Sequence, residues 1–213
     1  MNIVKRVNTV EGNEIRLIKI EGAKNSKNIL ITGVFHGEEP QGEYLISKYL
    51  KENLSNIKNN VYFIPCLNPD GKSVNKRQNA NGIDLNRNFP TKNWRRVETP
   101  EYFGGTMAGS EIETKFMIDI LNEYKFNAIL SIHAPFKIVN YDGPAAGLAD
   151  KISELTGYKV QADIGYPTPG SFGNYAGVER NIPVITLELD ENDSNEHLYE
   201  ICKKVFDYLT FEF

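Results

Sequence analysis

The chain predicts an α/β fold, a single domain over residues 1–213 with a central, mixed and partly parallel sheet flanked by helices. Three observations carry that expectation. Short apolar runs of strand length recur at Asn28–Val34, Val61–Ile64, Ala128–Ile132 and Pro183–Leu187, and runs of this kind bounded by turn residues read as buried strands. Stretches with apolar residues at helical spacing lie between them, and that alternation builds parallel sheets. The 213 residues suit one domain with a sizeable core, since two would each be small, and 40% hydrophobic with 24% charged residues is ordinary for a globular chain.

Each element follows from its residues. Ile15–Ile20 mostly alternates apolar and polar, which predicts a strand with one wet face at the sheet edge. Gly22–Asn28 is a polar turn before the first buried run. Gly42–Asn53 carries Tyr44, Leu45, Tyr49 and Leu50 at helical spacing and reads as a helix, opened by Pro40, a residue favoured in the first turn. Val61–Ile64 is a strand closed by Pro65. Cys66–Gly109 has no period and is rich in turn formers, and a loop that long in a compact domain is expected only where it is functional. Ser110 with Glu113 has the form of a capping box, ahead of a helix over Glu111–Tyr124 whose apolar face is Phe116, Met117, Ile120 and Leu121. After the strand Ala128–Ile132, a helix is expected over Ala145–Leu155, stopped by Gly157. Tyr166–Tyr175 reads as Pro- and Gly-rich loop. The strand Pro183–Leu187 ends on Glu188, and Glu196–Leu209 is an amphipathic closing helix.

Composition excludes several classes of function. A net charge of −4 gives no broad basic surface, so nucleic acid is not an expected partner. No apolar run approaches membrane-spanning length, and Met1–Arg6 leads into no apolar signal segment, so the cytoplasm is the expected location. Cys66 and Cys202 are far apart with no C-x-x-C pattern and are expected as free thiols. Oligomeric state is left open.

Chemistry concentrates at strand ends. Val34 leads to His36, Ile132 to His133 and Leu187 to Glu188. In open α/β sheets ligands bind in the crevice beyond the carboxyl ends of the strands. If these ends share one side, His36, His133, Glu188 and a carboxylate of the pair Glu38/Glu39 converge. Two imidazoles and a carboxylate are the ligand set of a catalytic zinc site, with a further carboxylate to spare. The long loop adds Asn86-Arg87, which could hold a substrate carboxylate through the planar donor fork of arginine, and Arg77 before it. A surface loop with an ion pair reads equally from those residues.

In order along the chain, His36-Gly37-Glu38-Glu39, Asn68-Pro69-Asp70-Gly71, Asp84-Leu85-Asn86-Arg87-Asn88-Phe89-Pro90, Ser131-Ile132-His133 and Leu187-Glu188-Leu189 resemble the zinc carboxypeptidase family. The resemblance runs from about Glu11-Gly12 to Leu189. It implies that fold and one zinc ion per chain held by His36, Glu39 and His133, and so chooses Glu39 over Glu38. It further implies Glu188 as catalytic glutamate, Arg77 as the group polarising the scissile carbonyl, and Asn86 with Arg87 as the grip on a terminal carboxylate. Asp84 would orient a zinc-bound histidine, and Tyr166 would cover the substrate, with Tyr175 as the alternative. The match narrows at Ser131–Pro135, Asn140–Ala145 and Asp163–Gly173 to members acting on murein peptides. That implies a small peptide partner and hydrolysis of the γ-D-glutamyl–meso-diaminopimelate bond in cell-wall peptide recycling. A general metallocarboxypeptidase or an N-acyl amino acid deacylase of the same fold is the alternative. A non-catalytic binder is disfavoured because it has no need of Glu188.

Overall fold

The computed structural model describes residues 1–213. Its strands are β1 (Asn2–Asn8), β2 (Glu14–Ile20), β3 (Asn28–Gly33), β4 (Asn60–Ile64), β5 (Ala128–His133), β6 (Ile138–Asp142), β7 (Lys159–Val160) and β8 (Val184–Glu188). They form one sheet in the order β1-β2-β4-β3-β5-β8-β6-β7. The four apolar runs are its parallel centre, β4-β3-β5-β8. β2 joins β4 antiparallel on one side and β6 joins β8 antiparallel on the other, so the sheet is mixed as expected. The helices are α1 (Gln41–Tyr49), α2 (Pro69–Ser73), α3 (Ile112–Glu123), α4 (Ala146–Thr156) and α5 (Asn195–Asp207). None is long and apolar enough to cross a membrane.

Strand alternation divides the core. Successive side chains point to opposite faces. Ile29, Ile31, Leu130, Ile132, Ile185, Leu187 and Val139 lie on the face covered by α1, α4 and α5. Leu30, Ile129 and Val184 lie on the other, against Phe116, Met117 and Ile120 of α3. By the same parity Thr32, Ser131, His133, Thr186 and Glu188 belong to this second face, and the register pairs Asn140 with Thr186 and Asp142 with Val184 add Asn140 and Asp142. This face is therefore apolar under α3 and polar toward β8 and β6.

Several sequence expectations change. β2 is not the edge: β1 covers it, and because almost all of β1 is exposed it has no apolar face to reveal it. β6 and β7 were not expected, nor was the π-helical turn Gly173–Val178 inside and beyond the predicted loop. The capping box does not form. Ser110 Oγ donates to Glu111 Oε1, the N-cap is Glu111, and Glu113 Oε2 accepts from Asn79 Nδ2 at 3.2 Å.

Glu113 is fully buried with its Oε1 unpartnered, and burial pushes its carboxyl up to about 7 from 4.5. A carboxyl whose folded pKa is raised favours the fold only while protonated. Stability is therefore lost as pH rises through the window 4.5 to 7 and is level above it. The variant Glu113→Gln is expected to gain on the parent by about 2–3 kcal/mol across that window. Urea unfolding from pH 5 to 8 checks this, and parallel pH profiles for the two proteins would remove Glu113 as the source.

The long loop is ordered by buried asparagines. Asn68 accepts from Gly71 N at 2.9 Å and donates to the carbonyls of Phe35 and Arg77. Asn88 Nδ2 donates to the carbonyls of Gly104 and Met107 and to Ser110 Oγ. Side-chain amides thus satisfy backbone groups that a helix or strand would otherwise satisfy.

Candidate active site

The turn after β3 brings in the first two groups. Val34 sits at φ 55°, a conformation that costs a β-branched residue on the order of 1–3 kcal/mol. It is held there by burial and by hydrogen bonds from Leu67 N to the Gly33 carbonyl (3.1 Å) and from Asn68 N to the Val34 carbonyl (2.9 Å). The chain then turns back, with Glu39 N donating to the His36 carbonyl at 3.1 Å. His36 and Glu39 end buried on one side, while Glu38 is exposed. His133 and Glu188 are the last residues of β5 and β8 and are paired in register.

The two imidazoles address one carboxylate. His36 Nδ1 lies 2.7 Å from Glu39 Oε1 and His133 Nδ1 lies 2.9 Å from Glu39 Oε2, and the rings are 4.9 Å apart. One donor atom from each of the three residues falls within 4.8 Å of the others, and all three side chains are buried. Burial alone would lower the His36 pKa. The Glu39 and Asp84 carboxylates override it and lift it to about 9. Burial likewise works to raise the Glu39 carboxyl, and the two histidines hold it well below the usual range instead. Two neutral-capable imidazoles and a carboxylate, with donor atoms this close together, suit a divalent metal ion, and the set is that of catalytic zinc sites.

Asp84, fully buried, ties the loop to this cluster. Its Oδ1 is 3.2 Å from His36 Nε2 and accepts from Asn86 N at 2.8 Å, while its Oδ2 accepts from Arg77 Nε at 3.0 Å. Arg77 Nη1 reaches within 3.2 Å of His36 Nδ1. Asn86 Oδ1 accepts from Phe172 N at 2.8 Å, and Arg87 Nη1 donates to the Asn86 carbonyl at 2.7 Å. Both guanidiniums stand over the ring of Tyr102, at 5.4 and 5.6 Å. Sequence reading missed Tyr102. A lone tyrosine after Pro100-Glu101 in an aperiodic loop carries no signal of that contact.

Glu188 is 8% exposed and its Oε2 has no partner. Burial raises its carboxyl pKa, with His133 drawing it back. His36, Glu39, Arg77, Asn86, Arg87, His133, Tyr166 and Glu188 all line one cavity of about 190 Å³. Tyr175 does not. It is buried in the second core cluster beside Phe89, and its hydroxyl bonds Arg180. Of the two tyrosines only Tyr166, 41% exposed, stands at the cavity. Trp94 donates to the Arg87 carbonyl at 3.1 Å, a packing role. Cys66, half-buried after strand β4, has its thiol pushed up to about 12 by desolvation. Asn140 and Asp142 of β6 also line the cavity.

A family model described as zinc carboxypeptidase matches residues 1–147. Murein peptide amidase A of Escherichia coli (strain K12) is 28% identical over 186 residues, which cover 82% of this chain and 75% of that protein. Murein peptide amidase A of Vibrio campbellii (strain ATCC BAA-1116) is 31% identical over 179 residues, covering 78% and 70%. The crystal structure of murein-tripeptide amidase MpaA from Escherichia coli O157 superimposes with a TM-score of 0.80 at 25% identity, over 93% of this chain and 88% of that one.

Proposed function

Because the chain belongs to the zinc carboxypeptidase family and is thereby a hydrolase, we propose that it is a zinc-dependent amidase of murein peptides, cutting the γ-D-glutamyl–meso-diaminopimelate bond. The observation that carries this reading is the shared cavity. It holds three clustered side chains able to ligate a metal, a buried carboxylate with a free oxygen, and an Asn-Arg pair. The murein peptide amidases among its relatives supply the substrate class.

His36, Glu39 and His133 would hold the ion, with Asp84 fixing the His36 ring through Nε2. Zinc bound there supplies a Lewis acid that acidifies water and polarises a carbonyl. Glu188 Oε2, unpartnered and close to that cluster, takes the proton of the attacking water and passes it to the leaving amine. Arg77 donates to the oxyanion that develops on the scissile carbonyl. Asn86 and Arg87 receive the free α-carboxylate of the leaving residue, and Tyr166 closes over it from the rim. A cytoplasmic place in cell-wall peptide recycling is consistent with a free, small peptide as substrate.

Release of diaminopimelate from L-Ala-γ-D-Glu-meso-diaminopimelate by zinc-loaded protein, beside a chelated control, tests the reading. Zinc-dependent release is expected. Turnover of ordinary C-terminal peptides or N-acyl amino acids without it would reject the murein assignment.

A further inference from the structure

The two arginines of the site are held in different ways. Arg77 is paired with Asp84, its Nε and Nη2 each 3.0 Å from Oδ2. Arg87 is 4% exposed and has no carboxylate partner; its one side-chain hydrogen bond runs from Nη1 to the Asn86 carbonyl. Burial and the nearby Arg77 cation hold its pKa below the ordinary arginine value, against the pull of Asp84. A buried cation without a counterion is costly. What stands against it is the ring of Tyr102, whose centroid is 5.6 Å from the Arg87 guanidinium carbon and 5.4 Å from that of Arg77. The face of an aromatic ring is negative and attracts a cation at that distance.

Tyr102 does not line the catalytic cavity. Half-buried, it shares with Arg87 and Tyr166 the wall of a neighbouring cavity of about 130 Å³. The chain around it is bound to the residues beside each arginine. Gln78 Nε2, next to Arg77, donates to the carbonyls of Pro100 and Glu101 at 3.2 and 3.1 Å. Asp84 N donates to the Phe103 carbonyl at 2.8 Å. Asn88 Nδ2, next to Arg87, donates to the Gly104 carbonyl at 2.8 Å. Gly104 packs so closely that a Cβ there would come within 2.2 Å of the Arg87 carbonyl oxygen. Pro100–Gly104 is thereby tied to both arginine-bearing segments and carries the ring with it.

A ring suits this place better than a carboxylate. An aspartate or glutamate beside Arg87 would pair with the N–H groups that are to receive a substrate carboxylate. The π face offsets the charge and occupies none of those donors. Plain packing by an apolar side chain is the competing account, and it leaves the Arg87 charge without a counterpart.

We propose that Tyr102 is a positioning residue for Arg87 and Arg77, an uncharged counterpart that fixes both guanidiniums and leaves their N–H groups to the substrate. This rests on the roles that the amidase reading gives those two arginines.

The test compares Tyr102→Phe, which keeps a ring, with Tyr102→Leu, which keeps only apolar bulk. In tripeptide hydrolysis by zinc-loaded protein, Tyr102→Leu is expected to raise KM through Arg87 and to lower kcat through Arg77. Each change should be about 3- to 30-fold, the range that a cation–π contact spans between exposed and desolvated settings, and Tyr102→Phe should stay within about twofold of the parent. A double-mutant cycle with Arg87→Met, read by urea unfolding of the zinc-loaded proteins, tests the contact without turnover. Tyr102→Leu should lower the folding equilibrium constant about 3- to 30-fold more in the parent than in the Arg87→Met background. Three results overturn the proposal: Tyr102→Leu matching the parent, Tyr102→Phe failing as badly as Tyr102→Leu, or a cycle without coupling. Coupling with unchanged KM and kcat overturns it too. If the parent does not turn over the tripeptide, the murein reading falls and the cycle alone decides whether the ring holds Arg87.

Discussion

The variant Glu188→Gln is expected to lose roughly 10²–10⁴ in kcat, the range that positioned general-base catalysis contributes, while keeping its fold and its metal. The argument starts from what Glu188 touches. Its Oε2 accepts no hydrogen bond, so an isosteric amide takes no acceptor away from an existing donor. It is not one of the three clustered donors, which are His36, Glu39 and His133. Substrate affinity is proposed to reside in Asn86 and Arg87, which the change does not touch. Rate should therefore fall with little change in KM, and zinc content should stay at one per chain. Turnover within a few-fold of the parent would end the general-base assignment. Loss of zinc with loss of rate would instead make Glu188 a ligand. The contrasting variant Arg87→Ala is the internal control, since a residue that grips the ground-state carboxylate should move KM first.

The sequence exposed those parts of the site that lie where an apolar run stops. His36, His133 and Glu188 follow buried strands, so hydrophobic patterning alone put them at the sheet's rim. What it could not give was register. That His133 stands directly opposite Glu188, and Asp142 opposite Val184, is set by pairing between segments distant in sequence. β1 stayed hidden because a strand exposed on both faces has no period. The capping box at Ser110 failed for a related reason. A local motif competes with tertiary partners, and Asn79 claims the Glu113 carboxylate from another part of the loop. Tyr102 acts through contacts that no spacing rule encodes.

Asp84→Ala is expected to weaken zinc binding by about 10- to 100-fold and to destabilise the metal-free fold by about 3–5 kcal/mol, and the two effects have separate causes. The first comes through His36. With Asp84 Oδ1 gone from 3.2 Å, nothing fixes the ring's Nε2, and loss of such an outer partner costs a metal site in this range. The second comes through Arg77. Its cation is mostly buried and its close partner is Asp84, with Glu39 Oε1 farther off at 3.8 Å. Removing one member of a buried pair leaves the other uncompensated. Chelator competition reads the first effect and urea unfolding of metal-free protein reads the second. Asp84→Asn separates them further. It keeps the Oδ1 that serves both Asn86 N and the His36 ring but carries no charge for Arg77. It should therefore recover part of the metal affinity and little of the stability. If both variants lost zinc affinity equally while metal-free stability held, Asp84 would act on His36 by charge alone, and the Arg77 pair would count for nothing in the fold.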